Sequence, residues 1–318
     1  MKWLKEIDYG LVLPAMARLP AALAYRAADW RGDLTWLLRR DARRHAVRNL
    51  QATFPQQSPD EARRTVRQQY RTLAHDEMES YWFGRPLSFF EPRIRITGLD
   101  DLKASLESGQ GVLLYTAHLG STGFCLTVLG KMGFPINLVF RSLDEVPGMP
   151  RSWYRYGKAR IRRLEAAVRR PVIQSGRTLY FSMRRKLRQG EIVLMGLDVV
   201  PGYVKKTVTV DFLGKPCAFP EGLARLCLDT GARPVLWSIH QDSRRMHHAE
   251  LQDISSRLKG LDDKQQVTQV LVHGIEQRIR RHPEDWLLWD SLTHFQSAAN
   301  PQEADLAPSR KAAKSEKA

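Results

Sequence analysis

The first 95 residues carry apolar positions at helical spacing. In the segment SPDEARRTVRQQYRTLAHDEMESYW, apolar residues recur every three or four positions: Ala62, Val66, Tyr70 and Leu73. This spacing is typical of a helix with one buried face. Ser58, Pro59 and Glu61 precede that face, and this combination is a strong signal for the start of a helix. The pattern predicts a helical region over residues 1–95.

From about residue 96, short apolar runs alternate with helical stretches. The runs predicted as strands are GQGVLLYTAHLG, FPINLVFRS, EIVLMGLDVV and ARPVLWSIH, while TVTVDFLG is interpreted as an edge strand or a hairpin arm. Strand–helix alternation is typical of an α/β fold with a largely parallel sheet. We therefore predict, over residues 96–295, a mostly parallel central sheet flanked by helices. Residues 296–318 are poor in large apolar side chains and are expected to form a disordered tail.

The N-terminal segment contains two apolar runs, YGLVLPAMA and LPAALAY, with Arg18 between them and Arg26 after them. Each run is far shorter than the roughly 20 residues that cross a bilayer. The flanking Trp3 and Trp30 fit a helix lying in the membrane interface over residues 9–30. A helix packed on its own domain fits the same pattern equally well. Peripheral attachment and a single N-terminal anchor both remain open.

The net charge of the chain limits the classes of partner that are expected. Fifty lysines and arginines against 34 aspartates and glutamates give a net charge of +16, which favours an anionic partner: nucleic acid, a phospholipid surface or an acidic carrier protein. No aromatic–basic motif of the usual nucleic-acid modules is present, so we expect no nucleic acid. The three cysteines show no paired or metal-binding spacing and are expected to be reduced, buried thiols in a cytoplasmic setting.

His118 follows the apolar run GVLLYTA and so comes just past the carboxyl end of a predicted strand. In open α/β sheets that end faces the ligand crevice. Gly120 allows a close turn, and the backbone amides of Ser121 and Thr122 begin a predicted helix, where they are placed to bind an oxyanion. We therefore interpret His118 as a catalytic base rather than as a residue that only caps a turn.

Other candidate residues fall at the ends of elements near the same crevice. Arg141 ends the strand INLVFR, where a guanidinium can hold a phosphate or carboxylate, although a plain surface arginine fits equally. Asp198 follows the run EIVLMGL and is placed either to orient a histidine or to cap a helix. Glu221 opens a predicted helix with Arg225 one turn later, and a glutamate there is also ordinary compensation of the helix dipole.

No metal or cofactor is expected from the sequence. His75, Asp76 and Glu79 share a charged helix, where such residues are more often a solvated face than a metal site. His247 and His248 fall in a polar stretch, predicted as a loop, that offers no partner ligands. The chain has no Walker-type or GxGxxG phosphate loop and no GxSxG nucleophile motif.

The order of these motifs resembles the bacterial lipid A late acyltransferases, in the lysophospholipid acyltransferase superfamily, over residues 35–290. RHAVRNLQATFPQQSPDEARRTVRQQY is similar to the opening region of that family, and YTAHLGSTGF occupies the place of its H-x4-D/E motif. LVFRSLD, which contains Arg141, is similar to the second block. GEIVLMGLD and VDFLGKPCAFPEGLARLCLDTGARPV resemble the following blocks, and HPEDWLLWDSLTHF resembles the closing P-x-x-W segment.

The resemblance implies an acyltransferase of lipid A biosynthesis, transferring groups other than aminoacyl groups. Such an enzyme moves an acyl chain from acyl carrier protein to a hydroxyl of a lipid or glycolipid acceptor at the cytoplasmic face of the inner membrane. It also implies that His118 deprotonates the hydroxyl, that Arg141 holds a phosphate of the acceptor, and that the partners include an anionic membrane surface.

The chain departs from this family at Gly123, which stands where the acid of H-x4-D/E belongs. Three hypotheses follow. Asp198 or Glu221 supplies the carboxylate, which retains acyl transfer by a general base; this hypothesis is favoured. In the second, the site uses another donor, such as an aminoacyl carrier protein, or an amine acceptor. In the third, the protein is a non-catalytic relative that binds lipid or a carrier.

Overall fold

The computed structural model describes residues 2–140, 143, 149–204 and 206–299. The helices are α1 (Lys2–Ile7), α2 (Leu13–Met16), α3 (Ala21–Leu38), α4 (Arg40–Thr53), α5 (Pro59–Glu79), α6 (Leu87–Phe90), α7 (Leu99–Glu107), α8 (Thr122–Lys131), α9 (Arg151–Val168), α10 (Leu179–Arg188), α11 (Gly222–Thr230), α12 (Lys264–Arg281) and α13 (Leu292–Ala299). The strands are β1 (Ile94–Thr97), β2 (Val112–Thr116), β3 (Ile136–Phe140), β4 (Ile173–Gln174), β5 (Ile192–Gly196), β6 (Thr207–Phe212), β7 (Lys215–Pro220), β8 (Arg233–Gln241) and β9 (His247–Asp253).

Seven strands form the central sheet in the order β1-β9-β8-β2-β5-β3-β4. Every neighbouring pair is parallel except β8 and β9. All five residues of the central strand β2, VLLYT, are buried, as expected for a parallel strand with both faces covered by helices. The predicted α/β fold with a mostly parallel central sheet is therefore confirmed.

The segment TVTVDFLG forms a hairpin arm and is not part of the central sheet. Strand β6 pairs antiparallel with β7 in a separate two-stranded sheet. Leu213 and Gly214, which join the two strands, both have positive φ angles, of 53° and 80°. A two-residue connection with positive φ at both positions matches the right-handed twist of a hairpin. Of the two interpretations of TVTVDFLG, the structure therefore supports the hairpin.

The prediction of a polar loop around His247 and His248 is wrong, because both residues belong to strand β9. The strand alternates in burial: His247, Ala249 and Leu251 face the interior, while His248 between them is exposed. A period of two is the signal of a half-buried strand. The inward histidine hid this alternation in the sequence, since a polar residue occupies one of the buried positions.

The N-terminal helices pack on the rest of the protein and also leave apolar residues uncovered. Ala24, Tyr25 and Ala28 on α3 are buried, in the same apolar cluster as residues of β2 and α8. On other sides of the segment, Trp3 and Trp30 are 63% and 78% exposed. Among the described residues, no helix combines the length and apolar character needed to span a bilayer. The packed-helix interpretation thus accounts for one face of the segment.

The first four residues of the predicted tail are helical. Helix α13 continues to Ala299, so residues 296–299 are helical, with Phe295 just before them buried in the core. This apolar anchor extends the ordered structure beyond the predicted boundary at 295. Residues 300–318, which make up the rest of the predicted tail, lie outside the described residues.

Candidate active site

The register of two central strands brings His118 and Asp198 together. Strands β2 and β5 are parallel neighbours, with Thr116 opposite Gly196. His118 and Asp198 each come two residues after these paired positions. Because parallel strands end at the same edge of a sheet, the two side chains meet in the crevice at that edge.

The carboxylate of Asp198 holds His118 through two contacts. Asp198 Oδ1 lies 2.8 Å from His118 Nδ1, and Oδ2 accepts a hydrogen bond of 2.9 Å from the His118 backbone N–H. Oδ2 also accepts a hydrogen bond of 2.9 Å from Trp286 Nε1. The Asp198 side chain is fully buried, whereas that of His118 is 54% exposed. The ring is thus fixed on its Nδ1 side, and Nε2 makes no hydrogen bond to the described residues.

His118 and Asp198 shift each other's pKa. The negative charge of Asp198 raises the pKa of His118 above its ordinary value and outweighs the partial desolvation of the ring. Burial by itself favours protonated Asp198, but the charge of His118 and the hydrogen bonds from His118 and Trp286 outweigh it and lower the pKa of Asp198. Asp198 therefore remains a carboxylate when the histidine takes up a proton.

Other side chains fill the space that an acidic side chain at position 123 would need. Gly123 lies in the first turn of α8, and a Cβ added there would lie 2.6 Å from Phe83 Cζ and 3.0 Å from Arg160 Nη2. Arg160 is held in place by Asp76, at 2.7 Å. An acidic side chain at 123 would therefore have to displace an aromatic ring and a buried ion pair.

The loop after β2 is held by the segment that follows α12. The backbone N–H of Gly120 donates to the carbonyl of Asp285 at 2.9 Å, and that of Leu287 donates to the carbonyl of His118 at 2.9 Å. Gly120 has a φ of +53°, and a Cβ there would lie 2.8 Å from the carbonyl oxygen of Ile239. A glycine is thus required for both the backbone conformation and the space.

Sequence reasoning did not assign a role to Asp285 or Trp286. Trp286 is fully buried and donates to the same carboxylate that holds His118. The available signal was the segment HPEDW, which resembles the closing P-x-x-W segment of the lipid A late acyltransferases. The resemblance showed that this segment has a counterpart in the family, but it did not indicate which strand end the segment contacts.

Ser121 and Thr122 lie at the start of α8, as the sequence predicted. Ser121 is the residue before the first helical position and is buried. Thr122 is the first residue of the helix. Backbone N–H groups in the first turn of a helix lack partners within the helix, so the amides at the start of α8 have no helical acceptor of their own.

Glu221 and Arg225 are not in contact with His118. The Glu221 carboxylate binds Lys264 Nζ at 2.8 Å, because Glu221 follows a strand of the separate hairpin rather than of the central sheet. Arg225 lies over the ring of Tyr180 and beside Asp229. Between the two carboxylates considered as partners of His118, the structure brings Asp198 to it. Arg141 lies outside the described residues.

The interpretation of His75, Asp76 and Glu79 as a solvated helix face is wrong, because all three are buried. Each has its own partner: His75 Nε2 lies 2.9 Å from Asp29, Asp76 binds Arg160, and Glu79 Oε1 lies 2.9 Å from the Nε2 of His247. Buried charged groups must be paired to offset their desolvation. These residues therefore connect α5 to its neighbours and do not converge on one point.

The chain is similar to one known family of proteins. The model of a family described as bacterial lipid A biosynthesis acyltransferase matches residues 3–291. Among curated proteins, none matches the chain significantly. The matched range includes His118, Asp198 and Trp286, and it extends through the N-terminal helices. It confirms the resemblance seen in the order of the motifs.

Proposed function

Because the chain belongs to the bacterial lipid A biosynthesis acyltransferase family, it is an acyltransferase, and we propose that His118 and Asp198 carry its reaction. In this proposal an acyl group passes from the thioester of an acyl carrier protein to a hydroxyl or amine of a lipid-like acceptor. The observation that carries the proposal is the contact of 2.8 Å between Asp198 Oδ1 and His118 Nδ1.

Nε2 of His118 acts as the general base. It accepts the proton of the acceptor hydroxyl while the hydroxyl oxygen forms a bond to the thioester carbonyl carbon. The C–S bond then breaks, and the departing thiolate takes the proton from Nε2, which returns the imidazole to its neutral form. Asp198 accepts a hydrogen bond from Nδ1 throughout, so it keeps Nε2 free as the acceptor and stabilises the imidazolium between the two steps.

The oxyanion formed on the thioester carbonyl needs hydrogen-bond donors close to His118. The backbone amides of Ser121 and Thr122 lie at the start of α8, where the helix dipole also favours negative charge. The position of Gly120 just before them supports this role, since its left-handed backbone helps to bring the chain from the end of β2 at Thr116 into the helix that begins at Thr122. We assign these amides to oxyanion binding.

The charge of the chain supports an acidic carrier protein as donor. The net charge is +16, and α9 carries basic residues around a cavity of about 370 Å³, among them Arg155, Lys158 and Arg162. A basic surface raises the rate of encounter with an acidic partner. The same positive charge attracts a surface of anionic phospholipid. The net charge therefore supports both proposed partners, the acidic carrier protein and the membrane.

The test of the catalytic assignment is a transfer assay with His118→Ala. A labelled acyl group is supplied on carrier protein, and on coenzyme A as the alternative donor, and its appearance on a lipid acceptor is followed. We expect the variant to retain less than about one thousandth of the wild-type rate, while circular dichroism shows that it remains folded. His45→Ala, at a histidine on α4, is the matched control. Equal product from wild type and His118→Ala would overturn the proposal.

We further propose that the protein binds the cytoplasmic face of the inner membrane through its N-terminal helices. The support is the apolar surface that they leave uncovered: Trp3, Leu11, Leu23, Trp30, Leu34 and Leu38 are all at least 50% exposed. Arginines on the same segment fit a surface with anionic head groups. Insertion of this surface into the interface would remove it from water.

Flotation with vesicles of anionic phospholipid tests this attachment. Replacing both Trp30 and Leu34 by serine is expected to weaken vesicle binding by about tenfold or more, since each apolar side chain contributes on the order of 1–2 kcal/mol when buried. The matched control is Phe181→Ser on α10, which removes another exposed apolar residue. An equal loss of binding in the control would contradict attachment through the N-terminal helices.

A further inference from the structure

Four side chains with metal-binding atoms converge beside the loop that carries His118. They are His240, His282, Glu284 and Asp285, and one donor atom from each lies within 4.8 Å of the others. Among the described residues, this is the one group of three or more such side chains that meets this distance. None of them belongs to the proposed catalytic pair.

Three elements of the fold bring these residues together. His240 is the penultimate residue of β8, and His282 is the first residue after α12, where it ends the helix. Glu284 and Asp285 follow in a short 3₁₀ turn. The chain turns back here because Pro283 cannot continue the helix. Residues more than 40 positions apart in the sequence are thereby placed at one point.

The donor atoms of the cluster lie close together, but at different distances from one another. His240 Nδ1 lies 2.7 Å from Asp285 Oδ2, and His282 Nδ1 lies 3.7 Å from Glu284 Oε1. The two imidazole rings stack, with centroids 3.8 Å apart and an angle of 17° between their planes. Two histidines and two carboxylates therefore share a space that a single ion can fill.

A solvent path reaches the cluster. His240, His282 and Asp285 line a cavity of about 270 Å³, and the His282 side chain is 35% exposed to solvent. Arg278 and Arg281 also line this cavity, but both bind Glu250, at 2.7 Å and 3.4 Å. Their charge is thus partly offset within the cavity wall.

We propose that His240, His282, Glu284 and Asp285 form a binding site for a divalent transition metal ion such as Zn²⁺. Zinc binds imidazole nitrogen and carboxylate oxygen in a tetrahedral arrangement. This mixed set of nitrogen and oxygen donors suits zinc, whereas Mg²⁺ and Ca²⁺ prefer oxygen ligands alone. The site does not depend on the proposed acyl-transfer mechanism.

Binding requires a small local rearrangement. Ligands about 2.0–2.1 Å from zinc in a tetrahedron lie about 3.3 Å from one another, so the donor atoms must close in from their present spread. Two stacked rings cannot both direct a nitrogen at one ion in their own planes. The side chain of His282 is 35% exposed, so it is the ligand free to turn, and the ion breaks the stack.

The site borders the proposed catalytic pair through the backbone. The carbonyl of Asp285 accepts the hydrogen bond of Gly120 N–H, and the adjacent Trp286 donates to Asp198. A bound ion would fix the side chains of the segment that holds the His118 loop. Metal occupancy is therefore expected to stabilise this edge of the sheet.

Calorimetric titration of Zn²⁺ into the chelator-treated full-length chain tests the proposal. We expect one ion per chain, and a loss of affinity of at least about tenfold in His282→Ala, with a smaller loss in Glu284→Gln. Both changes are at partly exposed positions, and circular dichroism checks that the variants remain folded. The matched control is His273→Ala, an exposed histidine on α12 outside the cluster, which should bind zinc as the wild type does.

Two further readouts separate this site from adventitious surface binding. Zinc should raise the thermal unfolding midpoint of the wild type but not that of His282→Ala, because an ion that binds the folded state stabilises it. Co²⁺ in place of zinc should give the visible absorption bands of a four-coordinate ion. Absence of stoichiometric binding, or equal affinity in wild type and His282→Ala, would overturn the proposal.

Discussion

Asp198 and Glu221 are both carboxylates that follow the carboxyl end of a strand, but their surroundings differ. Asp198 follows β5 in the central sheet, is fully buried and accepts hydrogen bonds from His118 and Trp286. Glu221 follows β7 in the separate hairpin and binds Lys264. The difference arises from strand pairing, because β5 is the neighbour of β2 and β7 is not.

This comparison shows how a carboxylate can reach His118 although Gly123 occupies the acidic position of the motif. The acid of H-x4-D/E lies five positions after the histidine in the same segment of chain, whereas Asp198 reaches His118 from the end of the neighbouring strand. Both routes bring a carboxylate to the same imidazole. Meanwhile Gly123 leaves room for Phe83 and the Arg160–Asp76 pair.

In the comparison of the two carboxylates, the largest expected effect comes from Asp198→Asn. Removing the carboxylate leaves His118 without its orienting acceptor and without its stabilising charge, so the acyl-transfer rate should fall by at least about tenfold and by up to about 10⁴-fold. In the wild type, activity should fall as pH decreases through the raised pKa of His118, because the protonated ring cannot act as a base. In the variant, that pKa should move back towards about 6.5, so the acidic limb of the residual pH–rate profile shifts to lower pH.

Glu221→Gln is the matched control for this prediction. It removes a carboxylate that also follows a strand, but one that faces Lys264 and does not contact His118. Its rate and pH profile should remain within about twofold of the wild type, since general-base assistance requires a group within hydrogen-bond reach. A loss as large as that of Asp198→Asn would remove the distinction between the two carboxylates.

A smaller effect, on stability rather than rate, is expected from Gly123→Glu. The new side chain meets Phe83 and Arg160, and such overpacking costs about 1–3 kcal/mol of unfolding free energy, measurable by urea denaturation. Gly176→Glu is the control, because a Cβ at Gly176 has open space and no positive φ. Restored activity in the double variant Asp198→Asn, Gly123→Glu would show instead that the motif position still accepts an acid.

Much of the fold followed from local pattern. Periodicity and capping depend on residues close in sequence. They therefore sufficed to predict the helical region, the strands that precede His118 and Asp198, and the start of α5 at Ser58. The structure confirms the cap: Ser58 and Glu61 exchange hydrogen bonds as a capping box. Strand β9 was missed because His247 occupies a buried position in it.

The sequence alone determined that His118 stands at a strand end beside a helix start, that the family's acid is absent at 123, and that Asp198 and Glu221 were the available replacements. Only the tertiary structure decided between them, and it added Trp286 and the cluster around His240. The physical reason is that sheet order and long-range packing depend on contacts between distant segments. Asp198 and Trp286 lie 80 and 168 residues from His118 in the chain, yet both are anchored to the same strand end.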